Sequence, residues 1–554
     1  MNKLDQRRTP FIDCIKKYVK KDVVPFDVPG HHMGNIDNKA TRLLGKKLYR
    51  LDINAPIGTD NLAKPKGPLL QSERLLAEAT NADDAFFLIN GTSSGIIAMI
   101  LTAVKAGEKI ILPRNVHKSI INALVLSGAI PVFVMPEIDN DLEIANQPSV
   151  EEFKKAILKH PSAKAVFVIN PTYFGSVSDL KSIVNIAHEH NMAVLVDEAH
   201  GAHYYFHAKN SPITAMDAMA DMSSVSIHKT AGSLTQTSAL LLKGKMFSRY
   251  DVQKSLNIIN TTSPSMILMA SLDGARSFMA TKGKQAQERV YELAEYAKEE
   301  INKIPGFIVE DKKHFLEHGS FDYDQSKLVI GLDKLDIDGF QLYYEIKKDY
   351  DIQLELAETY AVLCIFAIGT KKEHVDKLVF ALKELSKKHY HSNITYIDHH
   401  FDSSFPFMLL RPRVAFHADG KIAKIDNCFG MISKEMVMIY PPGIPLIIPG
   451  EVWTKELIDR VKFYKSSGIT ILSNYPDGFE IVDVEKWKKY SMYSKRLMEY
   501  QETRKTTPSN DGYKLPFEGD KHKATVVLIP YRKDTWRNNA SFAQQNYKEV
   551  ILAI

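Results

Sequence analysis

Six short apolar runs dominate the first half of the chain: AFFLIN (85–90), KIILP (109–113), PVFVM (131–135), AVFVIN (165–170), AVLVD (193–197) and SVSIH (224–228). Most are separated by stretches of helical length. Continuous rather than alternating apolar runs belong to strands buried on both faces, and strands that alternate with helices pair in parallel. These runs therefore predict an α/β domain, a parallel-rich sheet sandwiched by helices. Open sheets of this kind bind ligands outside the carboxyl ends of their strands, so the residues after each run are where chemistry is expected.

The sixth run ends in Ser226, His228 and Lys229, followed by the small and hydroxyl side chains of TAGSLTQTS. The fifth ends in Asp197, with His200 and His203 just beyond it. The first leads into Gly91-Thr92-Ser93-Ser94-Gly95 and then a helical stretch. Backbone donors and hydroxyls at a helix N-terminus form a phosphate site; this one is not a Walker motif, because no Lys-Ser/Thr pair follows the glycines. A phosphate cradle, a buried carboxylate and a lysine at strand ends of one sheet suit pyridoxal 5'-phosphate. The lysine forms the Schiff base, the carboxylate keeps the pyridine nitrogen protonated and the hydroxyls take the phosphate.

From residue 5 to about 480 the chain also resembles the bacterial ornithine/lysine/arginine decarboxylases of the aspartate-aminotransferase fold. The resemblance rests on seven motifs in order: PGHHMG, GTSSG, RNVHKS at 114–119, NPTYFG at 170–175, DEAHGAH, SIHKT and YPPGIPLIIPGE. It implies Lys229 as the Schiff-base lysine, Asp197 as the pyridinium partner, and Thr92, Ser93 and Ser226 as phosphate ligands. His117 resembles the ring-stacking histidine, and His200 stands where some relatives carry an aromatic residue against the cofactor. His228 precedes the lysine as in the family and, with Lys229, is the implied proton donor to the α-carbon. Glu355, in DIQLELAE, matches a family position near the substrate tail. The implied reaction is decarboxylation of a basic amino acid, first L-arginine to agmatine and CO2 in polyamine biosynthesis. Lysine decarboxylation to cadaverine is the close alternative; a transaminase and a non-catalytic decarboxylase-like protein are the others. Because PGHHMG begins at residue 29, the chain resembles the short biosynthetic-type branch rather than members with a receiver-like N-terminal domain.

The pattern divides the chain into a Gly/Pro-rich arm (1–65), a large cofactor domain (66–280), a small α+β domain (281–392), a decarboxylase C-terminal domain (393–485), a basic helix and linker (486–511) and a terminal segment (512–554). That last segment resembles the opening of agmatine deiminases, including Pro516, Glu518, His522 and Pro530-Tyr531-Arg532 followed by Asp534-Thr535-Trp536. No cysteine follows Cys428, so deimination is not expected; agmatine being the product of arginine decarboxylation, the segment points to arginine. Residues 485–554 carry 14 basic and 8 acidic side chains, which leaves the remainder of the +5 chain at −1. A near-neutral body argues against a nucleic-acid surface. Three scattered cysteines, Cys14, Cys364 and Cys428, exclude a disulfide framework and suit the cytoplasm. No run approaches the roughly 20 apolar residues of a membrane span. His31-His32 and His399-His400 lack partner ligands, so no metal is expected. The irregular arm implies a homodimer or higher homo-oligomer.

Overall fold

The computed structural model describes residues 3–393, 405–439, 445–466 and 470–487. The basic segment after Trp487, the deiminase-like segment 512–554, His399-His400 and the start of the YPPGIPLIIPGE run lie outside the described residues. The chain divides into two compact units, Met1–Asp483 and Val484–Ile554; the elements below belong to the first.

Each apolar run forms a strand of one seven-stranded sheet: β1 (Asp84–Leu88), β2 (Lys109–Pro113), β3 (Ile130–Val134), β4 (Ala165–Ile169), β5 (Ala193–Glu198), β6 (Met222–Val225) and β7 (Ser238–Leu242), in the order β1-β7-β6-β5-β4-β2-β3. Strands β6, β5, β4, β2 and β3 are parallel neighbours. Side chains alternate across a strand, and here the alternation separates two cores. Ala85, Phe87, Ile111, Val166, Val168, Val194 and Val196 enter one. Phe86, Leu88, Ile110, Leu112, Phe167 and Leu195 enter the other. Burial on both sides is why the runs are continuous, with each fully buried side chain contributing about 1.5–3 kcal/mol. Helices α1 (Pro10–Lys20) and α4 (Met266–Ile301) cover the first face, α2 (Gly91–Ala103) and α3 (Lys118–Ser127) the second.

Strand β7 was not among the six runs, and it adds an antiparallel member to the mostly parallel sheet, pairing antiparallel with both β1 and β6. No full crossover helix separates β6 from β7. The chain makes only the short helical turn Ile227–Thr230 before reversing, and a reversal without a crossover must be antiparallel.

Helix α4 is 36 residues long and joins two cores. Its Met266, Met269 and Leu272 pack on the large sheet, while Val290, Ala294, Ala297 and Ile301 pack on a four-stranded antiparallel sheet. That sheet comprises β8 (Phe307–Val309), β9 (Lys327–Leu332), β10 (Leu356–Ala357) and β11 (Ala361–Ile365), in the order β8-β9-β11-β10. The last strands, among them Gly420–Ala423 paired with Phe479–Val482, surround a core of Cys428, Val437, Trp453 and Ile481. No helix among the described residues is long and apolar enough to cross a membrane.

One buried ion pair ties this C-terminal core to the large sheet. Arg114, the residue after β2, is fully buried. Its Nε and Nη2 donate to Glu451 Oε1 and Oε2 at 2.8 and 2.7 Å, and its Nη1 donates to the Pro445 carbonyl at 3.1 Å. Removing one member of such a pair strands a charge away from water. Glu451→Ala should therefore destabilise the protein by about 3–5 kcal/mol, read as a lower urea midpoint; an unchanged midpoint would contradict that role for the pair.

Candidate active site

The ends of β1, β4, β5 and β6 converge on a cleft enclosing about 620 Å³, open solvent at its mouth included; Thr92, His117, Tyr173, Asp197, His200 and Lys229 are among its lining residues. These ends meet because parallel strands deliver their carboxyl termini to one edge of the sheet.

Helix α2 opens with the glycine-rich loop. Gly91 takes φ +69°, in the left-handed region open to glycine. Gly95 lets the helix lie directly on β6: a Cβ there would stand 2.2 Å from Ser224 Oγ and 2.7 Å from Leu88 Cδ1. This approach brings Thr92 Oγ1 to 2.7 Å from Ser226 Oγ, so the hydroxyls expected around a phosphate are adjacent at a helix N-terminus. Ser226 is fully buried behind Thr92 and Ser93 is partly exposed in the first turn; neither is among the residues lining the cleft.

Asp197 and Glu198 are adjacent in β5 and face opposite sides. Glu198 accepts from Tyr205 Oη at 2.6 Å, Ser223 Oγ at 2.6 Å and the Ala215 N–H at 2.9 Å. Asp197 faces the cleft and is 5% exposed. Its Oδ1 accepts the Ala199 N–H at 3.0 Å, and its Oδ2 accepts no hydrogen bond among the described residues. Burial raises its pKa, against the Ala199 N–H and Lys229. A buried carboxylate with a free oxygen is suited to a cationic N–H donor, whose charge would reverse that shift.

Lys229 Nζ lies 2.7 Å from His200 Nε2 and 5.1 Å from the centre of the Tyr173 ring. Burial lowers its pKa to about 8, opposed by Asp197 and reinforced by Lys327. His117 caps α3, its Nδ1 accepting the Ser119 N–H at 3.2 Å. Burial, then Lys229 and Lys118, lower it to about 4, so it presents a neutral ring. His200 packs on Tyr173 with ring centres 4.2 Å apart.

Two further expected residues, like Ser93 and Ser226, are outside the lining. His228 is partly buried and donates through Nδ1 to the Thr237 carbonyl at 2.7 Å; it does not line the cleft. Glu355 is exposed and outside the lining, yet its charge raises the pKa of both Lys229 and Lys327. The sequence reading missed Tyr173 and Lys327. Tyr173 lay within NPTYFG, which was recognised as a motif without a role for its aromatic ring. Lys327 reads as an ordinary strand-end lysine, and only the fold buries it beside His200. Elsewhere among the described residues Asp139, His314 and His318 converge. Asp139 Oδ2 and His314 Nε2 pair at 2.6 Å, and the His314 and His318 rings stack with centres 4.2 Å apart.

The Orn/Lys/Arg decarboxylase major-domain model matches residues 9–328, and the C-terminal-domain model of the same family matches 397–482. Arginine decarboxylase of Bacillus subtilis (strain 168) is 38% identical over 488 residues, 88% of this chain and 99% of that protein. Arginine decarboxylase of Halalkalibacterium halodurans is 38% identical over 487 residues, 87% and 98% of the two chains. Among solved structures, lysine decarboxylase A from Pseudomonas aeruginosa superposes with a TM-score of 0.75 at 20% identity, covering 86% of this chain and 80% of that one. That likeness bears on the fold.

With its pKa near 8 instead of the ordinary value of about 10.4, Lys229 holds far more free amine at neutral pH than an exposed lysine. Its labelling by an aldehyde and borohydride, followed by peptide mass, should rise through a midpoint near pH 8; a midpoint at the ordinary value would contradict the depressed pKa.

Proposed function

The chain belongs to the Orn/Lys/Arg decarboxylase family, and we propose that within it the protein decarboxylates L-arginine to agmatine and CO2, with pyridoxal 5'-phosphate as cofactor. One arrangement carries this reading: Lys229, depressed in pKa, shares a cleft with the buried carboxylate of Asp197 and the hydroxyl-bearing start of α2. Amine, carboxylate and anion cradle answer the aldehyde, ring nitrogen and phosphate of the cofactor. When bound, the cofactor supplies an electron sink conjugated to the substrate's α-carbon.

The protein's own residues do the rest. The N–H groups at the start of α2 and the Thr92 hydroxyl, with Ser93 in the same turn and Ser226 behind Thr92, would hold the phosphate. The free oxygen of Asp197 would accept the N–H of the protonated ring nitrogen and, being a buried carboxylate, would keep that charge in place. The neutral His117 covers a ring face. Ile96, Ile169, Pro171 and Phe174 wall the cleft and exclude water, which favours loss of a carboxylate's charge as neutral CO2. Lys229, near pKa 8, exchanges protons readily at neutral pH and returns one to the α-carbon. His228, its Nδ1–H committed to Thr237, contributes less directly. Glu355 supplies negative charge for the substrate's distal cation.

Arginine is favoured over lysine because the arginine decarboxylases match at 38% identity over almost their whole length. A homodimer is favoured by the arm, where Val24, Phe26, Leu43 and Ile57 are 74–102% exposed, as apolar side chains that meet a second copy would be. Three unpaired cysteines suit a reducing, cytoplasmic setting.

CO2 release should follow arginine over lysine and ornithine in kcat/KM, with Lys229→Ala costing on the order of 10²–10⁴-fold in turnover. A clear preference for lysine would overturn the substrate assignment, and a fully active monomer in sedimentation would overturn the dimer.

A further inference from the structure

A second lysine reaches the first through His200. Lys327, the first residue of β9, is 1% exposed. Its Nζ lies 3.3 Å from His200 Nδ1, while His200 Nε2 lies 2.7 Å from Lys229 Nζ on the far side of the ring. Burial and the two lysines hold His200 well below its ordinary pKa, so the ring is neutral and carries one N–H and one lone pair. Only one of the two lysines can donate to it. The other must accept, and a lysine accepts only as a free amine.

The surrounding charges decide which. The groups facing these three side chains are Asp197 on β5, His117 at the cap of α3, His203 just after β5, Asp324 before β9 and Glu355 before β10. Asp324 is held near pKa 2, against its burial, by His203, whose Nε2 lies 3.1 Å away, and by Lys327 and Ser326. It is therefore a full carboxylate, and with Glu355 it opposes the burial that lowers the pKa of Lys327. Lys229 faces the cleft instead, where burial outweighs Asp197 and Glu355 and the Lys327 cation adds to the lowering.

We propose that Lys327 is a positioning residue: its ammonium donates to His200 Nδ1, fixes the ring proton on Nε2, and thereby holds Lys229 as a hydrogen-bond acceptor, a free amine. The role rests on the reading of the cleft as a pyridoxal phosphate site. In cofactor uptake the lone pair of Lys229 forms the C–N bond to the aldehyde carbon. The aldehyde oxygen leaves as water with the two protons of the amine. Lys327 keeps that lone pair available at neutral pH, and the fixed Nε2–H of His200 gives the cleft a donor of set direction.

The test uses the full-length chain stripped of cofactor. It is mixed with pyridoxal 5'-phosphate at graded pH, and uptake is followed by visible absorbance. Wild type should show a midpoint near pH 8. Lys327→Met and Lys327→Gln, which remove the cation in an apolar and a polar way, should both move the midpoint upward and slow uptake at pH 7 by roughly three- to tenfold. Lys327→Arg, which keeps a cation and donors, should stay close to wild type. A merely structural lysine would alter melting temperature or the amount of cofactor bound without moving the pH profile. Profiles of the folded Met and Gln variants that superpose on wild type would overturn the proposal, as would an Arg variant shifted as far as they are. Wild-type protein that takes up no cofactor at any pH would instead overturn the reading of the cleft.

Discussion

Burial of the large sheet on both faces is the constraint from which the rest follows. Apolar side chains fill both sides, so polar groups on these strands concentrate at the ends, and parallel pairing delivers those ends to one edge. There they remain partly desolvated, which moves Lys229 to about 8, His117 to about 4 and Asp197 upward. Holding Lys229 at that value corresponds to about 3 kcal/mol of disfavoured charge. Two or three buried side chains at about 1.5–3 kcal/mol each outweigh it, so a two-sided core readily supports a site held away from its solution equilibrium.

The smaller parts act on the same edge. Helix α4 spans both cores and so sets the antiparallel sheet beside the cleft, where the start of β9 brings Lys327 to His200. From the C-terminal core, Glu451 grips Arg114, three residues before His117 in the chain. Neither Lys327 nor Glu451 is near the cleft in sequence, yet both bear on side chains that line it or adjoin its lining.

What was legible in the sequence follows from locality. Six strands announced themselves because two-faced burial makes an unbroken apolar run, and Asp197 and Lys229 stood out as charges at the ends of such runs. Strand β7 did not, since SALLL sits among polar residues and follows β6 without a crossover helix. Lys327 was illegible for another reason: the His200 ring that its Nζ reaches lies 127 residues away in the chain. Thr92, His117, Asp197, His200 and Lys229 do meet in one cleft, whereas His228 and Glu355 were located by motif alone and stand outside its lining. Sequence adjacency to the lysine, in the case of His228, said nothing about where its ring would turn.

The most direct test of the account is the site of covalent attachment. Protein saturated with pyridoxal 5'-phosphate, reduced with borohydride and digested should carry the pyridoxyl group on the peptide containing Lys229, with Lys327 unmodified. Attachment at Lys327, or at scattered surface lysines with none on Lys229, would contradict it.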